Sequence, residues 1–257
     1  MHTDVHAHVP YSRLTEYLPY IVTNRINPEI FFSAAALDQI IWEELAAHAQ
    51  SLRAAGLRTT IHAPFLDLNP GAVDPLIRSV TAGRFRQVFK AAGFLTPRVI
   101  VCHPGYDDLH YCNNRIDWLK NSITFWREFT DAARETGTVI AIENIFDSDP
   151  SMLRALLEEV DDPVFRHCFD TGHWNMFATG TLEEWFGELG HFIAECHLHD
   201  NHGHADEHLP VGEGMIDFSL VFNLLDTYAP HAVKTMEAHS IERLERTLKN
   251  AGAYIAA

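Results

Sequence analysis

The chain has 257 residues, 35 acidic and 19 basic, for a formal net charge of -16, and 47% of its residues are hydrophobic. That composition fits a soluble globular protein; the acidic excess opposes a polyanion such as DNA over the surface at large, and no apolar run approaches the roughly 20 residues that span a bilayer. The amino terminus, MHTDVHAHVPY, has no basic stretch followed by an apolar one, so no secretory signal is read and the cytoplasm is the expected compartment. Cys102, Cys112, Cys168 and Cys196 form no CxxC pair and are expected to be free thiols.

In chain order, residues 3–9 read as a strand and 11–24 as a helix, and the alternation then repeats. Strand 27–32 (NPEIFF) precedes helix 37–55, which Gly56 stops. Strand 58–62 (RTTIH) leads through the turn Asn69, Pro70, Gly71 to helix 74–95. Strand 98–103 (RVIVCH) and the turn Pro104, Gly105 precede helix 113–136, ended by Gly137. Strand 138–143 (TVIAIE) and helix 149–160 follow, then strand 166–170 (RHCFD) and helix 181–189, where Thr181 and Glu184 form a capping box. Strand 194–199, helix 217–228, strand 232–237 (AVKTME) and helix 240–254 complete the series.

Apolar, non-alternating strands between amphipathic helices indicate a parallel sheet covered by helices. Eight such units without a composition shift indicate a single (β/α)8 TIM barrel over residues 1–257. An open doubly wound sheet has no support, because GxGxxG and P-loop motifs are missing.

In such a barrel the carboxyl ends of the strands surround the active-site mouth. Here those ends carry His62, His103, Glu143, Asp170, His199 and Glu237, with His173 just beyond the sixth strand and Asp206 and His208 in the loop after the seventh. Imidazoles and carboxylates are ligands of zinc, manganese and iron, so the pattern predicts a metal centre. His2, Asp4, His6 and His8 alternate along the first strand and share one face. Of these, His6 and His8 are expected near the substrate, and Trp174 as a pocket wall. Phe65 and Phe177 are expected to pack in the core. His197 is expected one layer below the centre as a support, and Asp200, His202 and His204 in solvent. Arg78, Arg84 and Arg86 read as a solvated helix face rather than a nucleic-acid groove.

The runs TIHAPF, CHPG, IENIFD, FDTGH, HLHDN, DEHLPVGEGMIDF and MEAH resemble the xylose-isomerase-like TIM-barrel superfamily. That superfamily includes endonuclease IV (AP endonuclease family 2) and sugar isomerases and epimerases. The resemblance to endonuclease IV implies three zinc ions. His62, His103 and Glu143 would hold the first; Glu143, Asp170, His199 and Glu237 the second; His173, Asp206 and His208 the third. This is a hydrolytic centre suited to a small or nucleotide-like phosphodiester. The resemblance to the epimerases implies instead one divalent ion on Glu143, Asp170, His199 and Glu237, with Glu143 and Glu237 as acid and base. Cleavage of DNA at abasic sites and an amidohydrolase-like reaction, suggested by the first-strand His-x-His, are the remaining alternatives. The substrate is expected to be a small molecule, and zinc the metal, with manganese or iron as alternatives.

Overall fold

The structure, a computed structural model, describes residues 5–255. Eight parallel strands pair in chain order and close on themselves: β1 (Val5–Pro10), β2 (Asn27–Phe31), β3 (Thr60–His62), β4 (Val99–Cys102), β5 (Val139–Glu143), β6 (Phe165–Asp170), β7 (Ile193–Leu198) and β8 (Val233–Met236). The ring closes where Val5, His6 and Ala7 of β1 align with Lys234, Thr235 and Met236 of β8. The expected (β/α)8 barrel is the observed fold. His2 and Asp4 lie outside the described residues.

Alternation of side chains along each strand divides the core in two. One set, including Ile100, Ile140, Ile142, Leu198 and Met236, joins the apolar layer shared with the helices. The other set forms a small plug of Val99, Val101, Ala141, Cys168 and Val233. His6, Glu29, Thr60, Glu195, His197 and Thr235 are also fully buried, so the barrel holds polar groups as well as the plug. The helical layer is anchored by aromatics: Phe85 packs on Phe125, Trp126 and Phe129 at centroid distances of 5.2–5.8 Å. Each such buried ring contributes roughly 1.5–3 kcal/mol.

The helices are α1 (Leu14–Asn24), α2 (Ala34–Asp38), α3 (Trp42–Ala54), α4 (Pro75–Leu95), α5 (Asp108–Tyr111), α6 (Arg115–Thr136), α7 (Ser151–Val160), α8 (Thr171–Phe177), α9 (Leu182–Leu189), α10 (Phe218–Tyr228) and α11 (Ile241–Ile255). The single helix expected over 37–55 is two. Ser33 caps α2 by accepting from the Ala36 amide, and α3 restarts after the extended Ile41. Helix α8, not foreseen, begins directly after β6, where Asp170 accepts a hydrogen bond from the His173 amide at 2.7 Å. The Thr181–Glu184 capping box forms as expected. No helix among the described residues is long and apolar enough to cross a membrane.

Candidate metal centre

The strand ends bring the predicted residues together. His62, Glu143 and Asp170 terminate β3, β5 and β6, and His103, His199 and Glu237 follow β4, β7 and β8 by one residue. His173 enters on α8, and Asp206 and His208 from the loop between β7 and α10. The Nε2 atoms of His62 and His103 each stand 3.2 Å from Glu143 Oε2. Asp170 lies 3.1 Å from His199 Nε2, and His208 Nδ1 lies 3.4 Å from Glu237 Oε2. In the outermost grouping, Asp206 Oδ2 is 2.9 Å from His208 Nε2 and 3.7 Å from His173 Nε2.

His197 does not sit apart as a support. Its Nδ1 faces Glu237 Oε1 at 3.2 Å, Glu143 Oε1 at 3.4 Å and Asp170 Oδ2 at 3.7 Å. His199 instead stacks on His208, with ring centroids 4.2 Å apart, and turns Nδ1 toward Asp206 at 3.7 Å. Both imidazoles of β7 therefore reach the carboxylates, because residues 197 and 199 alternate to the same face.

These groups fit divalent ions. Donor atoms about 2.0–2.1 Å from one tetrahedral ion stand roughly 3.3 Å apart, close to many of the spacings above. The Nδ1 atoms of His197, His199 and His208 are buried and have no hydrogen-bond partner among the described residues, although carboxylate oxygens face them. Compact donor groups include His62–Glu143–His197, Glu143–Asp170–His173 and His199–His208–Glu237. Backbone oxygens orient some of the rings: Nδ1 of His62 meets Ala63 O at 2.9 Å, and Nδ1 of His173 meets Asn144 O at 3.1 Å.

Burial penalises charge throughout the cluster, and mutual attraction outweighs it at most positions. Burial would raise Glu143, Asp170 and Glu237, but nearby imidazoles hold all three below the usual carboxylate range, led by His197 for Glu143 and Glu237 and by His173 for Asp170. Asp206 is likewise lowered by His173 and His208 against its own burial. Burial opposes charge on His62, yet Glu143 lifts it to about 9. His173, His197 and His208 are also raised against their burial. At His103 burial prevails, and its pKa is lowered. Protons thus occupy imidazoles where cations would otherwise balance the carboxylates.

The sequence reading missed Glu29. It is fully buried on β2, with one oxygen 3.1 Å from His8 Nδ1 and the other 3.1 Å from His197 Nε2. An acidic residue inside the apolar run NPEIFF was the available signal. Asp200, expected in solvent, is fully buried and accepts the amides of Asn201, Gly212, Gly214 and Ile216, which ties down the loop carrying Asp206 and His208. In that loop His208 adopts φ 46°, a left-handed conformation costing roughly 1–2 kcal/mol for a residue with a Cβ. His202 and His204 are exposed, as expected.

A cavity of about 1070 Å3 opens over the centre, lined by His8, Phe65 and Phe177 among others. His6 and Trp174 do not line it. His6 is buried below, 3.4 Å from Thr60 Oγ1, and Trp174 packs against the helical core. Phe65 and Phe177, expected in the core, are walls of the cavity.

A parallel barrel with histidines and carboxylates gathered at the carboxyl ends of its strands defines a TIM barrel with a candidate metal centre. The chain belongs to the xylose isomerase-like TIM-barrel family, whose model matches residues 29–255. A protein of Methanocaldococcus jannaschii, the uncharacterized protein MJ1311, is 31% identical over 188 residues, covering 70% of this chain and 64% of that protein's length. Among solved structures, a D-tagatose 3-epimerase-like protein is 25% identical, with TM-score 0.85 and coverage of 98% of this chain and 97% of the other. The TTHB071 protein from Thermus thermophilus, solved after soaking with ZnCl2, is 23% identical, with TM-score 0.80 and 98% coverage of both chains.

Proposed function

We propose that the protein is a metal-dependent hydrolase of a small phosphodiester, with as many as three divalent ions, zinc foremost. The observation that carries this reading is the meeting of His173, Asp206 and His208 beside the inner ligands. A centre needing one ion leaves this outermost group without a task. Bound divalent ions would lower the pKa of water and neutralise charge on phosphate and leaving group. With buried Glu29 beside His8 and His197 counted, the carboxylates Glu29, Glu143, Asp170, Asp206 and Glu237 outweigh a single dication by three negative charges, which would repel an anionic diester, and fall one short of three dications, which would attract it. His62, His103 and Glu143 would form one ligand group. Glu143, Asp170 and Glu237 with His197 would form the second, with His199 between it and the third. Glu143, with one oxygen near His62 and His103 and the other near His173 and His197, would bridge. No Lys or Arg lines the cavity among the described residues, so an extended DNA backbone has no cationic track beyond the centre.

A second reading, a sugar isomerase or epimerase, is favoured by the solved D-tagatose 3-epimerase-like relative more than hydrolysis is. In it Glu143, Asp170, His199 and Glu237 would hold one ion, with His197 Nδ1 facing the same three carboxylates, Glu143 and Glu237 would exchange a proton with carbon, and His62 and His103 would bind hydroxyls. Side-by-side assays of metal-loaded protein on a p-nitrophenyl phosphodiester and on a ketohexose separate the two. Diester turnover that disappears in Asp206→Ala/His208→Ala supports the hydrolase. Ketose epimerisation that survives in that variant, without diester turnover, overturns it.

A further inference from the structure

The cavity has two chemically different ends. One is the ring of candidate ligands, and the other is a cleft whose walls come from the β3–α4 loop, the segments following β4 and β5, and α8. Phe65 joins the two ends. Its ring stacks on His103 at 4.3 Å and 13°, so the aromatic floor begins at a candidate metal ligand. Across the cleft Phe146 and Phe177 meet edge to face at 5.0 Å. Leu66, Ile77 and Phe146 line the cleft and are 77%, 43% and 49% exposed. Apolar side chains left in water around a cavity continuous with a reactive centre mark a place that a ligand covers.

The polar groups of this region are largely committed to the protein. Asn69 donates to Gly105 O and Tyr111 Oη while its Oδ1 accepts from the Gly71 amide and Trp118 Nε1. Asp107 caps α5 by accepting from the Leu109 and His110 amides. Asp67 and His110 also line this end, but no Lys or Arg does among the described residues, so a second phosphate would meet no lysine or arginine there. Size points the same way. At about 1070 Å3 the cavity lies just above the roughly 300–1,000 Å3 that drug-sized ligands fill, more than a lone sugar or phosphate ester head requires.

We propose that the cleft is a second subsite, and that it takes an uncharged aromatic arm joined covalently to the polar head held at the metal centre. This rests on the reading of the centre as the place where an anionic head binds. It narrows the substrate class to diesters carrying a flat ring system as one substituent, with Phe65 and Phe146 as the surfaces on which that ring packs.

The test uses two pairs of probes on the zinc-loaded full chain, phenylphosphonate against methylphosphonate and a phenyl glycoside against the matching methyl glycoside, measured by calorimetry. Burying a phenyl ring predicts at least about tenfold tighter binding of the phenyl member. The preference should fall to about threefold or less in Leu66→Ala/Phe146→Ala. Leu66 is largely exposed and Phe146 is half-exposed with one ring contact, to Phe177, so the variant is expected to stay folded with only a small fall in melting temperature. If the phosphonates do not bind and the glycosides show the preference, the subsite stands and the hydrolase reading fails. If both phosphonates bind alike, the subsite fails and the anionic head site stands. The subsite is overturned as well if no pair shows a phenyl preference, if the preference persists in the double variant, or if sedimentation finds a dimer that the same double variant dissociates, since a second copy would then be what covers the cleft.

Discussion

Replacing Glu29 by Gln perturbs the outer support of the centre without changing its shape. Glu29 is buried, and its two oxygens face His8 Nδ1 and His197 Nε2 at 3.1 Å each. With Nε2 turned to Glu29, His197 presents Nδ1 to Glu143, Asp170 and Glu237. A glutamine still accepts a hydrogen bond from His197 but carries no charge. A bond to a charged group, about 1.5–3 kcal/mol, becomes a neutral one of about 0.5–1.5 kcal/mol. The difference of roughly 1–1.5 kcal/mol corresponds to about a tenfold loss of affinity, the lower end of what partners behind metal-bound histidines contribute. Competition against a chromophoric chelator should therefore show one ion bound about tenfold more weakly and the others unchanged. Glu29→Leu removes the acceptor altogether and should cost about a hundredfold at that same ion. Affinities that all stay within about twofold of the parent in Glu29→Gln, or that all weaken together, would refute the role given to His197 and Glu29.

Other consequences can be measured separately. Asp206→Ala or His208→Ala should each lower the ion count by one and reduce diester turnover on the order of 100-fold, with the far-ultraviolet spectrum unchanged; a full complement of ions in both variants contradicts the outermost site. Gly172→Ala would place a Cβ against the His199 imidazole, closer than any real Cβ contact, so α8 or the imidazole must move. Denaturant unfolding should report a loss of about 1–3 kcal/mol, and a variant as stable as the parent would show that the approach is not tight. In metal-free protein His62 has a pKa of about 9 against an unfolded value of about 6.5. Because the folded value is the higher one, its contribution, on the order of 3 kcal/mol, is fully present below pH 6.5 and is lost as the pH rises through 9. Metal-stripped protein should thus have a lower denaturant midpoint at pH 9 than at pH 6, and zinc should reduce the difference; equal midpoints without metal would contradict the assignment.

The barrel was legible because its strands are apolar runs ending in polar residues, a pattern that period and composition expose directly. The candidate ligands His62, His103, Glu143, Asp170, His199 and Glu237 were legible for the same reason, each a polar residue at or just after the end of an apolar strand, whereas His173, Asp206 and His208 lie on α8 and in the loop after β7. What escaped depends on contacts between distant segments. The distinction between His197 and His199 is set by the height of β7 against β6, where Asp170 aligns with His197 after a register shift at His167 and Cys168. The burial of Asp200 depends on four amides, three of them 12 to 16 residues away in sequence. Helix α8 is seven residues long and contains Gly172, too short for an apolar periodicity to emerge. His6 is expected at the mouth from its alternation along the first strand, and Trp174 from its place beside a ligand-bearing run, whereas the strand buries the one and the helix packs the other against the core.

The central claim is the number of ions the centre holds. Protein purified without chelator, or stripped and then saturated with zinc, should contain three ions per chain by elemental analysis, and protein lacking both Asp206 and His208 side chains should contain two. One ion per chain at saturating zinc, with the His208 imidazole still titrating freely by NMR, would contradict the multinuclear account and leave the epimerase reading in its place.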